Sequence, residues 1–331
     1  NKNNFEVHLL SWDNLEAKSF YSISDKIRWH KLLKRNSKLN KIQKFLRLIR
    51  VFKKNNIKIL IGFVMSGDGT IFFASKLNLL KIICAERNEP AMYDILYSPF
   101  RKKINLLQMR LSDAIVVQQN IFKKSYPTNL QKKLVRIPNP VFEEKIIYSI
   151  KSNRKKIILF VGRLEKRQKR PMLLLKEFNR IKYKIPDWSL YFVGDGEERR
   201  IMDEYIFKNS LISKVKIFDS RKNIFDFYKV ANIFVTTSLW EGFPNSLAEA
   251  MKNRLPCIGS AESIGVKSLL SNNCGWLVND CKGNKIGNAI LKCINNEVET
   301  SKKVINAANK VKKYDPTTIY KSWEKLIASF H

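Results

Sequence analysis

Residues 232–251 read NIFVTTSLWEGFPNSLAEAM, and this stretch indicates how the second half of the chain folds. Its first part, residues 233–237, is a short run of β-branched and aromatic residues, which predicts a buried strand. A loop follows, and the sequence predicts a helix from Asn245 onward. Gly242 allows unusual backbone angles or a close approach to a ligand, and Pro244 suits the first turn of the helix. The stretch is therefore typical of one strand–loop–helix unit in an α/β protein.

The start of the predicted helix is suited to binding an anion. A helix N-terminus presents unpaired N–H groups and a partial positive charge. Glu241 lies on the loop before the helix, and Glu249 lies about one turn inside it. Carboxylates do not bind phosphate, but they accept hydrogen bonds from hydroxyl groups. The combination indicates a ligand that carries both a diphosphate and sugar hydroxyls.

Glu241 and Glu249, with seven residues between them that include Gly-Phe-Pro-Asn, resemble the paired-glutamate motif of retaining glycosyltransferases of family 4. On the residues alone, the plain interpretation is a strand, a turn and an amphipathic helix whose glutamates are solvated. The whole string WEGFPNSLAEAM after an apolar strand is more specific and favours the family. The resemblance implies the GT-B fold, an α/β architecture of two doubly wound, Rossmann-like domains facing across a cleft, as in bacterial polysaccharide biosynthesis.

The length of 331 residues fits two domains. Predicted strands alternate with helical or loop segments in both halves, which favours parallel sheets. Pro138 and Pro140 suit an extended connector, so we expect the domain boundary between about residues 141 and 153. The resemblance then implies three segments: an acceptor-side domain at 1–145, a nucleotide-sugar-binding domain at 153–315, and a C-terminal helix at 316–331 that can return to the first domain.

Residues 5–10 already read as a strand, and the resemblance implies that the family's first strand and its glycine-rich loop are missing before Asn1. Because that loop closes over the donor phosphates or the acceptor, the chain as given is expected to be incomplete and can be inactive.

The five cysteines are scattered and form no C-x-x-C pair, which favours reduced thiols in a cytosol. The three histidines show no metal-ligand spacing, which disfavours a zinc site or a Ser-His-Asp triad. No apolar run approaches the roughly 20 residues that a membrane-spanning helix needs. No secretory signal is visible.

The formal net charge of +33 is compatible with nucleic acid, an anionic membrane surface or anionic small ligands. Residues 26–58 contain thirteen Lys or Arg and no Asp or Glu. Apolar residues recur among them at helical spacing: Leu39, Ile42, Leu46, Ile49 and Phe52. Two compatible interpretations stay open, a helix on a sheet with a solvated basic face, and the same face resting on anionic lipid.

A second candidate binding segment begins with Gly162-Arg163, which follows a predicted strand at residues 156–161. The resemblance assigns Arg163 and a nearby lysine to the donor diphosphate. The position where the family usually has this lysine holds Gln168 in this chain. Lys169 is the preferred candidate if the loop has one extra residue, and two alternatives stay open: Lys166 and Arg170.

The resemblance also implies a role for each candidate. Glu249 holds the ribose hydroxyls, and Glu241 orients the donor sugar hydroxyls near the reacting carbon. Many relatives have a histidine near the reacting sugar, where this chain has Glu86-Arg87-Asn88, so Arg87 is expected to face the sugar or the acceptor. The expected catalytic residues are Glu241, Arg163, Lys169 and Arg87. The expected donor-binding residues are Gly162, Gly194, Gly242, Phe243, Pro244, Asn245, Ser246, Leu247 and Glu249.

The resemblance thus implies a retaining, metal-independent glycosyltransferase of the hexosyltransferase type, without a cofactor. Its donor would be a nucleoside diphosphate sugar, with a UDP-sugar as the preferred candidate. Its acceptor would be a polyprenyl-diphosphate-linked or growing glycan of a capsule, O-antigen or lipopolysaccharide. It would be cytoplasmic and peripheral on the inner face of the plasma membrane. One alternative is a catalytically inactive sugar-nucleotide-binding protein. A nucleic-acid-binding protein is suggested by charge alone, and no helix-turn-helix, zinc knuckle or aromatic strand motif supports it.

Overall fold

The structure, a computed structural model, describes residues 5–33, 40–63, 69–142, 154–279, 281 and 283–330. The chain forms two compact units. Unit 1 comprises Asn1–Arg87, Tyr93–Ile137 and Lys321–His331, and unit 2 comprises Asn88–Met92 and Pro138–Tyr320. Most of the predicted boundary region and Leu39 of the predicted stripe lie outside the described residues.

Unit 1 contains a parallel strand pair and a four-stranded parallel sheet in the order β3-β4-β5-β6. Its strands are β1 (His8–Asn14), β2 (Arg28–Leu33), β3 (Ile59–Phe63), β4 (Lys81–Ala85), β5 (Ala114–Val117) and β6 (Leu134–Arg136). The helices of this part of the chain are α1 (Lys41–Lys54), α2 (Gly69–Leu77), α3 (Met92–Leu96), α4 (Pro99–Leu111) and α5 (Thr128–Gln131), with a 3₁₀ helix at Asn120–Ser125.

One prediction for the start of the chain is wrong in detail, and one strand was not predicted. The first strand begins at His8 rather than at residue 5. The helix expected in the basic segment 26–58 is observed as α1, and strand β2 precedes it in the same segment. Strand β2 reads RWHKLL and is mostly half-buried, with Leu32 buried. The strand shows no alternation of buried and exposed residues that would indicate it in the sequence, and Lys31 is half-buried because lysine can cover apolar surface with its stem.

The face of helix α1 that packs on the core overlaps the predicted stripe only in the C-terminal half of the helix. Leu48 and Phe52 are buried and Phe45 packs against the same cluster, whereas Ile42 and Leu46 are 70% and 47% exposed. The predicted and observed stripes share Ile49 and Phe52, since Ile49 also packs against this cluster. Toward the N-terminus the buried face is shifted from the predicted one by one residue, or about 100° around the helix. Both stripes have helical spacing, so only the packing against β2 and α2 selects one of them.

Unit 2 contains a six-stranded sheet in the order β12-β11-β10-β7-β8-β9, and all of its pairings are parallel. Its strands are β7 (Ile157–Val161), β8 (Ser189–Val193), β9 (Val215–Phe218), β10 (Ile233–Thr236), β11 (Cys257–Ser260) and β12 (Trp276–Val278). Its helices are α6 (Pro171–Ile181), α7 (Arg199–Lys208), α8 (Phe225–Val230), α9 (Asn245–Lys252), α10 (Ile264–Leu270), α11 (Lys285–Asn295) and α12 (Glu297–Val311), with a 3₁₀ helix at Lys312–Tyr314.

Helix α13 (Pro316–Ala328) is divided between the two units after Tyr320. Within the described ranges, no helix is both long enough and apolar enough to cross a membrane.

The sheet of unit 2 is buried on both faces. Along β7, Ile158 and Phe160 belong to one hydrophobic cluster, while Ile157 and Leu159 belong to another. Successive side chains of a strand point to opposite faces, so the two clusters lie on the two sides of the sheet. The helices that cover them make unit 2 a doubly wound α/β domain, and the predicted parallel α/β class is confirmed.

The strand order of unit 2 reverses beside β7. From β7 the chain proceeds outward through β8 and β9, and it then returns to add β10, β11 and β12 on the other side. Ligands of open α/β sheets bind outside the carboxyl ends of the strands at such a reversal. The segments after β7 and β10 are therefore the place to look for a site.

Candidate functional site

The turns after β7 and β8 pack tightly against each other. Gly162 follows β7 and Gly194 follows β8. A Cβ atom on Gly194 would lie 2.1 Å from the carbonyl oxygen of Gly162, so this position accepts only glycine without a backbone shift. The close approach fixes the backbone from which the Arg163 side chain extends.

Lys169 and Glu241 join the segments that follow the two strands. The Lys169 Nζ lies 2.5 Å from the Glu241 Oε1, and the two side chains are only 16% and 9% exposed. The carbon stem of Lys169 runs past Gly162, within 3.5 Å of the position that a Cβ atom there would take. The structure therefore brings three of the predicted site residues together at the strand reversal of unit 2.

The two alternatives to Lys169 have other surroundings. Arg170 donates from Nε to the Thr237 carbonyl at 2.8 Å and forms an ion pair with Glu262 at 2.7 Å. These contacts hold the loop after β10, and they occupy the guanidinium. Lys166 is exposed on the loop surface. The geometry thus favours Lys169 among the three, although its contact with phosphate stays a prediction.

Gln168 links Arg163 to the loop after β10. It accepts a hydrogen bond from the Arg163 Nη2 at 2.8 Å and donates from Nε2 to the Trp240 carbonyl at 2.9 Å. The Arg163 side chain remains 69% exposed, so it can still reach a ligand. Sequence reasoning treated Gln168 only as a departure from the family pattern and missed this link.

Glu249 is held by Tyr228, a residue that the sequence did not single out. The Tyr228 hydroxyl donates to the Glu249 Oε2 at 2.9 Å, and the Tyr228 ring is fully buried. Burial raises the pKa of Glu249, and the hydrogen bond from Tyr228 opposes that rise. The carboxylate is therefore fixed in orientation at the edge of the core.

The predicted donor-binding residues at the start of α9 divide into buried and accessible ones. Gly242, Phe243, Pro244 and Leu247 are buried, and Leu247 lies within a hydrophobic cluster. A ligand can therefore meet Leu247 only through its backbone, and its donor-binding role stays a prediction. Pro244 is the N-cap of α9 rather than a residue of its first turn.

Asn245 and Ser246 are the accessible residues at this helix start. Asn245 is exposed and Ser246 is half-buried. The Asn245 Oδ1 accepts a hydrogen bond from the Asn139 Nδ2 at 2.8 Å. Since the first N–H groups of a helix have no intrahelical partner, this part of α9 is suited to an anion.

Glu89, which the sequence placed only near a strand end, fixes the backbone of Glu241. It belongs to unit 2 and is buried. Its Oε2 accepts hydrogen bonds from the Glu241 N–H at 3.3 Å, the Ile264 N–H at 3.0 Å and the Ser263 hydroxyl at 3.4 Å. Burial raises the pKa of Glu89, and the hydrogen bonds from Glu241, Gly265, Ile264 and Ser263 oppose the rise. In the sequence, Glu89 is only an acidic residue that follows a predicted strand. Such residues are too common for the sequence to predict that Glu89 accepts the hydrogen bond of the Glu241 N–H.

Arg87 belongs to unit 1, whereas the other predicted site residues belong to unit 2. Its guanidinium lies 4.7 Å from the ring centroid of Phe63 and 5.5 Å from that of Trp323. Burial lowers the pKa of Arg87 to about 10, so the side chain is charged at neutral pH. Its role toward a sugar or an acceptor stays a prediction.

In the part of the chain that the structure describes, no group of three or more His, Cys, Asp or Glu side chains is arranged to hold a metal ion. Arg163, Lys169 and the start of α9 supply positive charge near the strand reversal, and the guanidinium of Arg170 is engaged by Thr237 and Glu262.

Known proteins with similar sequences include one from Methanocaldococcus jannaschii that is named "Uncharacterized glycosyltransferase MJ1059". It is 30% identical over 256 residues, which is 70% of this chain and 62% of that protein, so the chain spans less than two thirds of this relative. A Campylobacter jejuni protein is 24% identical over 94% of this chain and 88% of its own length. It is named an alpha-1,4-N-acetyl-D-galactosaminyltransferase that acts on a diNAcBac-PP-undecaprenol-linked glycan.

The crystal structure of Anabaena HepE in complex with UDP and glucose superposes with a TM-score of 0.73 at 14% identity, covering 92% of this chain and 86% of HepE. This likeness supports the GT-B fold of two Rossmann-like domains. Residues 142–311 match the family described as "Glycosyl transferases group 1". That match covers just over half of the 331 residues, and the chain therefore belongs to the group 1 glycosyl transferases.

Proposed function

We propose that the protein is a retaining glycosyltransferase that transfers a sugar from a nucleoside diphosphate sugar, foremost a UDP-sugar, to a hydroxyl of a lipid-linked or growing surface glycan. The observation that carries this proposal is the convergence of Arg163, Lys169, Glu241 and the start of α9 at the strand reversal of unit 2. Basic groups and helix N–H groups suit a diphosphate, and carboxylates suit sugar hydroxyls.

The reaction makes the greatest electrostatic demand at the leaving group. The bond between the anomeric carbon and the β-phosphate oxygen breaks, and its electron pair stays on the departing diphosphate. Arg163, Lys169 and the N–H groups near Asn245 and Ser246 stabilise the charge that develops there. No metal is required in this scheme, because these groups supply the positive charge.

The new bond forms between the acceptor oxygen and the anomeric carbon on the face that the diphosphate leaves. The acceptor proton passes to an oxygen of the departing phosphate, so the overall reaction balances without an added base. Glu241 orients the sugar hydroxyls beside the reacting carbon, and Glu249 accepts hydrogen bonds from the ribose hydroxyls. The two glutamates therefore differ from the acid and nucleophile of a retaining glycosidase.

Two known proteins support the choice of substrates. HepE was crystallised with UDP and glucose, and the C. jejuni relative is named for a diphosphoundecaprenol-linked acceptor. A polyprenyl-diphosphate-linked acceptor lies in a membrane, so we propose that the protein works as a peripheral protein at an anionic membrane surface on the cytoplasmic side. The exposed Ile42 and Leu46 on the basic helix α1 are compatible with that location.

Nucleotide binding by Glu249→Ala and Glu241→Ala variants tests the proposal. We expect Glu249→Ala to weaken UDP binding in isothermal titration calorimetry, whereas Glu241→Ala mainly lowers turnover with UDP-sugars, on the order of 10²-fold if the contact acts in the transition state. Lys166→Ala serves as the control, because this exposed lysine lies in the same segment as Lys169 but outside the proposed contacts.

Equal and small effects of both glutamate changes would mean that the motif is structural, which would refute the assigned roles. Binding of UDP with no turnover on any nucleotide sugar and acceptor would instead fit a sugar-nucleotide-binding protein without transferase activity.

A further inference from the structure

We infer that the outward face of α4, extended by α2, is the surface on which the protein docks to an anionic membrane. Four large apolar side chains of α4 are exposed: Phe100 at 74%, Ile104 at 40%, Leu107 at 53% and Leu111 at 49%. At 100° per residue they fall within an arc of about 60°, so they form one continuous stripe. This inference rests on the proposed function only for the location of the acceptor.

The polarity of α4 is the reverse of that of an ordinary surface helix. Its buried face carries Asn105 and Gln108 beside Met109, while four of its large apolar residues face outward. A helix that packs on a sheet normally buries its apolar stripe and exposes its polar residues. The exposed stripe therefore contributes little to the core of unit 1 and is available to another apolar phase.

Helix α2 extends the apolar surface. Phe73 and Leu77, one turn apart, are 68% and 66% exposed. The Phe73 ring and the Gln108 amide both lie within 3.8 Å of the position that a Cβ atom on Gly69 would occupy, so α2 and α4 are neighbours there. Strands β3, β4 and β5 are adjacent and parallel, and right-handed crossovers place both helices on the same side of their sheet. The six residues thus belong to one face of unit 1.

The charges around the stripe indicate the kind of partner. Helix α4 has no acidic residue, and its exposed Lys103 and Arg110 both lie along one edge of the stripe, with Arg101 on the other side. The nearest acidic residues in sequence, Asp94 and Asp113, form ion pairs with lysines. Apolar side chains that penetrate and basic side chains at their border match the interface of an anionic bilayer. An apolar protein partner would explain the exposed apolar stripe but not the basic side chains along its edges.

One competing surface is the exposed part of α1, with Ile42 and Leu46. It offers two apolar side chains, against four on α4 and two more on α2. Since membrane affinity rises with buried apolar area, the α4–α2 face is expected to dominate. The basic segment 26–58 then adds long-range attraction rather than insertion.

Vesicle co-sedimentation of the whole chain tests the inference. We expect the protein to bind vesicles of phosphatidylglycerol and phosphatidylcholine and to bind pure phosphatidylcholine much more weakly. The double variant Ile104→Ser/Leu107→Ser should lower the partition coefficient at least about tenfold, because two apolar side chains no longer enter the bilayer. Lys103→Gln/Arg110→Gln should lower it by roughly fivefold per charge at low salt and by less at high salt.

Two matched variants separate this surface from others. Val298→Ser/Ile305→Ser removes two side chains that are 69% and 61% exposed on α12 of unit 2, and it should leave binding unchanged. Ile42→Ser/Leu46→Ser on α1 should reduce binding less than the α4 variant does. If the α4 variant keeps near-wild-type UDP affinity and melting temperature, its loss of vesicle binding is not caused by misfolding. If the wild-type protein itself does not bind UDP, that result counts against the proposed function and not against the docking surface.

The inference is overturned if the α4 variant binds vesicles like the wild type, if neutral and anionic vesicles bind equally, or if the α1 variant alone abolishes binding. A second result also overturns it: analytical ultracentrifugation shows that the wild type is a dimer and the α4 variant a monomer, while the variant still binds vesicles. The stripe would then be a contact between two copies of the chain.

Discussion

Replacing Lys169 with methionine is expected to destabilise unit 2, because it leaves the Glu241 carboxylate without its ion-pair partner. The two charged atoms lie 2.5 Å apart, and their side chains are 16% and 9% exposed. Removing one partner of a fully buried ion pair costs about 3–5 kcal/mol, mainly because an uncompensated charge remains. The residual exposure relieves part of that cost, so we expect a loss of about 2–3 kcal/mol for Lys169→Met.

The double variant distinguishes the ion pair from a general loss of packing. Glu241→Gln alone leaves the ammonium of Lys169 without its partner and should also destabilise unit 2. In Lys169→Met/Glu241→Gln neither charge remains, so the combined loss should be smaller than the sum of the single losses by about 1–3 kcal/mol. A well-packed neutral pair can be as stable as the ion pair that it replaces.

Urea denaturation measures these losses, and hydrogen exchange of peptides from residues 154–279 shows whether they arise in unit 2. Calorimetry with UDP provides a second measurement. If Lys169 donates to the diphosphate, its loss removes a hydrogen bond to a charged group, worth about 1.5–3 kcal/mol, or roughly 10- to 150-fold in Kd. Lys166→Met is the control, since this lysine is exposed. Strictly additive single losses, together with unchanged UDP affinity, would refute the reasoning.

Three further changes test single contacts. Tyr228→Phe removes the hydrogen bond that opposes the raised pKa of Glu249, so its pKa should rise further and UDP affinity should fall sooner as pH decreases, as measured by calorimetry across a pH series. Gly265→Ala places a Cβ atom 2.1 Å from the Glu241 carbonyl oxygen and should cost about 1–3 kcal/mol in urea denaturation, and no cost would contradict the tight packing there. Burial raises the pKa of Glu86 from 4.5 to about 7, so the folded state binds more protons than the unfolded state and stability falls as pH rises between these values. Glu86→Gln should remove this dependence and stabilise unit 1 at pH 8 by up to about 3 kcal/mol, and an unchanged pH profile would contradict the raised pKa.

The sequence predicts the sheet of unit 2 well because each strand is a short apolar run that ends in a turn. The predicted strand at residues 233–237 is observed at Ile233–Thr236, and helix α9 begins at the predicted residue, Asn245. Such patterns are local, since burial on both faces of a parallel sheet requires continuous apolar residues in each strand. The position of the candidate site follows from the same patterns, because the carboxyl ends of parallel strands share one edge.

Other features depend on contacts between distant parts of the chain, which local patterns do not contain. Glu89 meets the Glu241 N–H across 152 positions, and Tyr228 meets Glu249 across 21. An acidic residue or a tyrosine in a sequence gives no sign of which group it will face. The outward stripe of α4 has the same helical spacing as an inward one, so the sequence alone does not indicate which side faces the sheet.

The surroundings of the two glutamates explain why different effects are expected from them. Glu241 is restrained at its side chain by Lys169, at its N–H by Glu89 and at its carbonyl by the close approach of Gly265. A group held on three sides is suited to orienting a reacting sugar, because transition-state contacts gain most when the protein does not reorganise. Glu249 is held at its carboxylate by the Tyr228 hydroxyl. For the proposed contact with the ribose hydroxyls, which the reaction does not change, one hydrogen bond is enough to orient the carboxylate. Losses at Glu241 should therefore appear mainly in kcat, and losses at Glu249 in the affinity for the nucleotide.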